Sequence, residues 1–71
     1  MYRRPVESSL IRSVGYDLPS SVLEVEFIEG NRVYEYYDVP LSVYSRLMGA
    51  ESQGSYFNEY IKDFYAYMQI S

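Results

Sequence analysis

Apolar and acidic residues alternate along residues 23–28, and a second run, rich in tyrosine, follows at residues 33–37. An alternation with a period of two is typical of a strand that buries one face. Gly30 and Asn31 lie between the two runs, and a glycine at the first loop position accepts the positive φ of a tight two-residue turn. The resulting hairpin register pairs Phe27 with Tyr34, Val25 with Tyr36 and Leu23 with Asp38.

Residues 8–17 predict a further strand, which ends at a turn over residues 18–21. If Asp17 pairs with Val22, then Val14 and Tyr16 lie on the apolar face of the sheet. A regular strand would leave Ile11 on the polar face. We therefore expect a β-bulge at residues 12–13 that returns Ile11 to the core.

The hydrophobic period changes after Pro40, a residue that suits the first turn of a helix. One predicted helix ends near Gly49, and a second begins with Ser52 or Ser55 as its N-cap. The apolar stripes of these helices contain Val43, Tyr44, Leu47 and Met48, and then Phe57, Tyr60, Ile61, Phe64 and Tyr65. The predicted fold is α+β, with a three-stranded antiparallel meander followed by two helices packed on one face. Residues 1–7 are expected to be a short tail before a single domain at residues 8–71.

The composition removes most catalytic chemistry, because the 71 residues include neither histidine nor cysteine. Disulfides, thiolate catalysis and zinc sites of the usual kind are therefore excluded. We also find no glycine-rich loop that could hold a phosphate, so we expect a protein that is not an enzyme and needs no cofactor. The N-terminus carries no apolar run of the kind that marks a secretory signal or a membrane span, and we expect a cytoplasmic protein without membrane contact.

Two clusters of polar residues are candidates for binding. Ser52, Gly54 and Asn58 lie at a predicted helix N-terminus, where free N–H groups attract anions, although capping alone explains the same residues. Arg12, Arg46 and Lys62 are the basic residues expected to lie near one another. The net charge of −4 disfavours binding to a phosphate-rich partner.

The acidic residues Glu24, Glu26 and Glu35 fall on the reverse face of the predicted sheet. A flat strand surface supplies no loop carbonyls for a cation. We therefore expect a solvated acidic face rather than a metal site. The ten tyrosines are also notable, since tyrosine is enriched at interfaces, although most of these rings are expected in the core or at its edge.

An ordered set of short motifs along the chain resembles the KTSC domain, a module named for the C-terminus of some lysyl-tRNA synthetases. The motifs are Ser8-Ser9, Val14-Gly15-Tyr16-Asp17, Leu23-Glu24-Val25-Glu26-Phe27, Tyr34-Glu35-Tyr36, Asp38-Val39-Pro40, Val43-Tyr44 and Ser52-Gln53-Gly54-Ser55-Tyr56-Phe57-Asn58. The resemblance implies a stand-alone binding module with weak affinity for RNA or tRNA. The surface expected to bind is formed by Arg12, Arg46, Ser52, Gly54, Asn58 and Lys62. The alternative is a protein-interaction module or a homodimer with no nucleic-acid role.

Overall fold

The computed structural model describes residues 1–71 and contains five strands and two helices. The strands are β1 (Arg4–Pro5), β2 (Ile11–Asp17), β3 (Val22–Phe27), β4 (Val33–Tyr36) and β5 (Tyr67–Gln69). The helices α1 (Leu41–Gly49) and α2 (Gln53–Tyr60) lie between β4 and β5 in the chain. The five strands form one antiparallel sheet in the order β1-β2-β3-β4-β5.

The expected α+β class is correct, but the three-stranded meander is wrong because β1 and β5 extend the sheet at its two edges. Arg4 and Pro5, within the expected tail, pair with Val14 and Ser13 of β2. These edge strands have only two and three residues, and all five are exposed. A strand this short, with neither face buried, leaves no alternating pattern in the sequence.

The pairing of β2 with β3 is confirmed. Asp17 lies opposite Val22, and Val14 lies opposite Val25. The register shifts between Ile11 and Ser13, which is the predicted bulge, and Ile11 is fully buried as a result.

The pairing of β3 with β4 differs from the predicted register by two residues, since Leu23 lies opposite Tyr36 and Val25 opposite Tyr34. The predicted two-residue turn is wrong. The Phe27 N–H donates to the Arg32 carbonyl at 2.8 Å, which leaves residues 28–31 as the loop. Ile28 still bonds to the β2 side of the sheet, where its N–H donates to the Leu10 carbonyl at 3.1 Å. A shift of two residues keeps every side chain on its predicted face.

Gly30 has a φ of 73° and is followed by Asn31 with a φ of 51°. The prediction of a positive φ at Gly30 is therefore confirmed, although the loop is longer than expected. Glycine adopts a positive φ most readily because it has no Cβ, and asparagine does so more often than most other residues.

The helices begin where the sequence predicts, and α1 ends at Gly49. Ser52 is the N-cap of α2, and its Oγ accepts a hydrogen bond from the Ser55 N–H at 3.2 Å. The predicted stripe of α2 extends too far, since the helix ends at Tyr60 and Phe64 is 68% exposed. After α2 the chain turns back to the sheet, where the Tyr37 N–H donates to the Ala66 carbonyl at 2.9 Å.

The core lies between one face of the sheet and both helices, as expected. Its buried members are Ile11, Val14, Leu23, Val25, Tyr36, Val39, Leu47, Phe57 and Ile61. Neither helix is long and apolar enough to cross a membrane.

The reverse face of the sheet departs from the expected solvated acidic surface, because Glu24 is only 5% exposed. The Arg3 guanidinium covers it, with Nη1 donating to the Glu24 carboxylate at 2.5 Å and Nε donating to Ser13 Oγ at 3.1 Å. Ser13 Oγ in turn donates to Glu26 at 2.8 Å. Arg3 belongs to the segment expected to be a tail, so the sequence gives no sign that it pairs with Glu24. No group of three acidic side chains on this face or elsewhere could hold a metal ion.

Candidate functional site

A groove of about 360 Å³ opens between the β3–β4–β5 part of the sheet and the end of α2. Five of its eleven lining residues are aromatic, and they come from four different elements. The rings belong to Phe27, Tyr34, Tyr36, Phe57 and Tyr67. The groove is therefore a surface that could receive a flat, apolar or aromatic group.

The strand register explains why these rings meet. Tyr34 and Tyr36 are two residues apart on β4 and share one face, and Tyr67 lies opposite Tyr36 on β5. The Tyr67 ring centroid is 5.7 Å from that of Tyr34 and 5.6 Å from that of Tyr36. From the helix side, Phe57 lies edge-on to Tyr36 at 5.4 Å and to Phe27 at 5.3 Å. These centroid distances fall within the range of favourable aromatic pairs.

The groove runs from the buried core to open solvent. Phe57 at its base is 2% exposed, whereas Tyr67 at its outer side is 59% exposed. The outer rings therefore already face solvent, and a ligand that covers them would remove apolar surface from water.

Charged and amide groups line the groove beside the rings. Arg32 and Lys62 supply positive charge, Glu29 and Asp63 supply negative charge, and Asn58 supplies an amide. The mixture offers donors for a phosphate and acceptors for an amino group.

Burial in the groove raises the pKa of the Tyr36 hydroxyl, and the neighbouring Tyr34 and Tyr67 raise it further. The phenolate would be poorly solvated there and close to two other phenols. Tyr36 is therefore a neutral hydroxyl at physiological pH and contributes no charge to the groove.

The structure brings two of the six predicted site residues into this groove, Asn58 and Lys62. Arg12 lies on the rim of a second groove beside Arg3 and Glu26. Arg46 is exposed in the last turn of α1 and lines neither groove.

Ser52 and Gly54 both have structural roles at the start of α2. The Ser52 hydroxyl caps α2 and bonds the Ser55 hydroxyl at 3.0 Å. Gly54 is buried, and a Cβ there would lie 3.2 Å from Leu10 Cβ and 3.3 Å from Ser8 Oγ. The glycine therefore permits close contact between α2 and the segment that enters β2.

The sequence prediction of a binding surface contains none of the aromatic residues that line the groove. The alternation of Tyr34 and Tyr36 was a usable signal, since it puts both rings on one face. Tyr67 gave no such signal because β5 was not predicted.

The comparison with known protein families agrees with the motifs, because the KTSC domain model matches residues 7–65. The chain belongs to the KTSC domain family. A KTSC domain protein from Yersinia pestis has the same fold, with a TM-score of 0.94, 37% identity, and coverage of 99% of this chain and 97% of that one.

Relatives of this KTSC domain occur in two settings. An uncharacterized protein from Stutzerimonas stutzeri is 42% identical over 71 residues, which is 99% of each chain. A lysine–tRNA ligase from Trichormus variabilis is 42% identical over 65 residues, which is 92% of this chain. The chain spans only 11% of the length of that ligase.

The motifs of the KTSC domain divide between the core and the groove. The Tyr16 hydroxyl donates to the Val39 carbonyl at 2.6 Å, and the Tyr16 ring stacks on Tyr44 with centroids 4.9 Å apart. These contacts tie β2 to the start of α1. Five other motif residues line the groove, namely Phe27, Tyr34, Tyr36, Phe57 and Asn58.

Proposed function

We propose that this KTSC domain is a non-catalytic module that binds single-stranded RNA, including exposed regions of tRNA, through the aromatic groove. The observation that carries the proposal is the exposed Tyr67 ring beside Tyr34, with Arg32 and Lys62 lining the same groove. Unstacked bases bind to aromatic side chains in this way, and each stacked base contributes about 1–3 kcal/mol.

The charge distribution makes the predicted binding weak and dominated by stacking. The net charge is −4, and the two cations of the groove are accompanied by Glu29 and Asp63. One or two phosphate contacts give a log–log salt slope between about −0.7 and −1.4. Affinity should therefore fall only modestly between low and physiological salt.

The relatives support an RNA ligand over other flat molecules. Lysine–tRNA ligases carry a segment that is 42% identical to most of this chain. A ligand shared by a free module and a module within such an enzyme would be tRNA or a similar RNA. On this proposal the protein acts in the cytoplasm.

The test is an amide-resolved NMR titration with mixed tRNA and with short single-stranded RNA, at low salt and at physiological salt. We expect shifts at Tyr34, Asn58, Lys62 and Tyr67 that persist at physiological salt. An absence of shifts at low salt would refute the proposal.

A matched pair of charge reversals sharpens this test. Lys62→Glu should weaken RNA binding and flatten its salt dependence, because the lysine lines the groove. Arg46→Glu makes the same change in net charge at an exposed position outside the groove, and should have a clearly smaller effect. Equal losses for the two variants would mean that RNA senses only the total charge of the protein.

The second candidate function, a protein-interaction module, is favoured by the exposed apolar side chains that follow α2 in the chain. Large apolar side chains are exposed beyond α2, at Phe64, Tyr67, Met68 and Ile70. Exposed apolar groups concentrated in one segment often mark a protein interface.

A further inference from the structure

The two edges of the sheet differ in how far they resist pairing with another strand. The outer edge of β1 carries Arg3, Arg4 and Pro5, and proline has no N–H to donate. Charged residues and proline are the usual protection of an edge strand. At the opposite edge, residues 64–71 contain no charged side chain. The β5 edge therefore lacks this protection.

The backbone of β5 has hydrogen-bonding groups that its neighbour does not use. The Ala66 carbonyl accepts from Tyr37, and the Ile70 N–H donates to the Val33 carbonyl at 2.8 Å. In an antiparallel ladder the bonding direction alternates, so residues 66, 68 and 70 bond towards β4. The N–H and C=O groups of Tyr67 and Gln69 therefore point away from the sheet, because β5 has no neighbour on that side.

We propose that β5 pairs antiparallel with β5 of a second copy of the chain, with Met68 on the two-fold axis. In this register Tyr67 and the partner's Gln69 exchange both backbone hydrogen bonds. Met68 lies directly opposite the partner's Met68, and the two Tyr67 rings become diagonal neighbours within reach of each other. The two sheets join into one continuous sheet, and all the outward backbone groups of Tyr67 and Gln69 are paired.

A second copy fits this edge because the pairing is self-complementary and brings no like charges together. The nearest acidic residue on the Met68 face is Glu35 of β4. In the dimer the two Glu35 side chains are separated by three strand spacings, about 14 Å. That separation exceeds the Debye length of about 8 Å at physiological salt. Pairing through the β1 edge would instead oppose two arginine-rich segments, and head-to-tail pairing of β5 with β1 would meet Pro5.

The proposed dimer is weak and does not depend on RNA binding. A strand of three residues forms an interface well below the size of a stable dimer, so dissociation at micromolar concentration is expected. Met68 does not line the aromatic groove, so substitutions there leave the proposed RNA site in place.

Cysteine cross-linking tests the register, because the chain has no cysteine of its own. Met68 occupies a non-hydrogen-bonded pair, whose Cα atoms lie about 4.5 Å apart, within the range of about 4.4–6.8 Å that a disulfide requires. Met68→Cys should therefore form a disulfide-linked dimer under mild oxidation, at least about tenfold faster than the control, a factor set by proximity. The control is Leu18→Cys, an exposed apolar residue in the β2–β3 turn. Equal rates for the two variants would overturn the proposal.

Sedimentation velocity provides the second test, between about 20 µM and about 1 mM, the range in which so small an interface dissociates. The sedimentation coefficient of the parent should rise with concentration, and that of Met68→Lys should remain at the monomer value. Within one chain the introduced lysine lies opposite Glu35, and this pair of opposite charges stabilises the pairing of β5 with β4. At the two-fold axis the same lysine lies opposite the lysine of the second copy, and the two positive charges repel each other. Leu18→Lys should behave as the parent. A parent that stays monomeric, or a dimer that survives Met68→Lys, would overturn the proposal and assign this edge to a different protein or to none.

Discussion

Gly15→Ala is the most informative single change in the sheet, because the N-terminal segment packs closely against β2 at this residue. An added Cβ would lie 2.7 Å from the Tyr2 carbonyl oxygen and 3.0 Å from the Met1 sulfur. The methionine side chain can move aside. The carbonyl oxygen of Tyr2 belongs to the backbone beside β1, so it can yield only if the whole segment shifts.

The cost follows from the two ways in which the chain can respond. Overpacking of this kind costs about 1–3 kcal/mol, and the lower entropy of alanine in the unfolded chain returns about 0.4–1 kcal/mol. The other response is release of β1, which would break the Arg3–Glu24 ion pair and uncover that carboxylate. Because the Arg3 side chain is 30% exposed in this pair, its loss costs less than the roughly 3–5 kcal/mol of a fully buried pair, and both responses destabilise the domain.

We therefore expect Gly15→Ala to lower the free energy of unfolding by about 1–2 kcal/mol, which for a domain of this size lowers Tm by roughly 4–16 °C. Urea and thermal unfolding followed by circular dichroism measure this loss. Amide NMR shifts should be concentrated in residues 1–5 and around position 15.

The matched control is Gly49→Ala, where an added Cβ meets nothing within 4 Å. This variant should be as stable as the parent or up to about 1 kcal/mol more stable, because alanine favours the helix. The reasoning is refuted if Gly15→Ala matches Gly49→Ala in stability while the amide shifts of residues 1–5 stay unchanged.

Three further predictions concern the core and the groove. Tyr16→Phe removes the hydroxyl that donates to the Val39 carbonyl at 2.6 Å, and should cost about 1 kcal/mol in urea unfolding; an unchanged midpoint would contradict it. Phe57→Ala should lower the free energy of unfolding by about 3–5 kcal/mol, because Phe57 is buried in the core. Phe27 is only partly buried, so Phe27→Ala should lower it by less. A larger loss for Phe27→Ala in the same urea assay would contradict the core assignment. Burial raises the pKa of Tyr36 above its ordinary value of 10.0, so the contribution of this neutral hydroxyl to stability is fully present below pH 10 and is lost as the pH rises through the folded-state pKa. Tyr36→Phe should therefore flatten the loss of stability above pH 10, as measured by unfolding across an alkaline pH series.

The sequence predicts the central strands well because burial on one face leaves a pattern that can be checked residue by residue. The bulge before Ser13 follows from the need to bury Ile11, and it is present. The β3–β4 register could not be fixed in the same way, because a shift of two residues buries the same side chains. What sets that register is the four-residue loop at residues 28–31, closed by the bond from the Phe27 N–H to the Arg32 carbonyl, and no hydrophobic pattern reveals its length.

The candidate site was only partly predictable for a related reason. The sequence predicts Asn58 as part of a cluster at a helix N-terminus and Lys62 as part of a basic cluster, and both residues line the groove. The aromatic wall combines residues from β3, β4, α2 and β5, and the last of these has no periodic signal. Without β5, Tyr34 and Tyr36 are predicted only as part of the core, and there is no reason to expect an open groove beside them.

Strand β5 connects the two proposals, because Tyr67 lines the groove while its backbone faces the open edge. A two-fold axis through Met68 stands perpendicular to the joined sheet and therefore leaves both grooves on the same face. An RNA long enough to reach both grooves would bind with an effective concentration set by their separation, whereas a short oligonucleotide would occupy one. Met68→Lys should then weaken binding of tRNA more than binding of a short single strand. Equal effects on the two ligands would mean that the groove and the edge act separately, even if each proposal holds by itself.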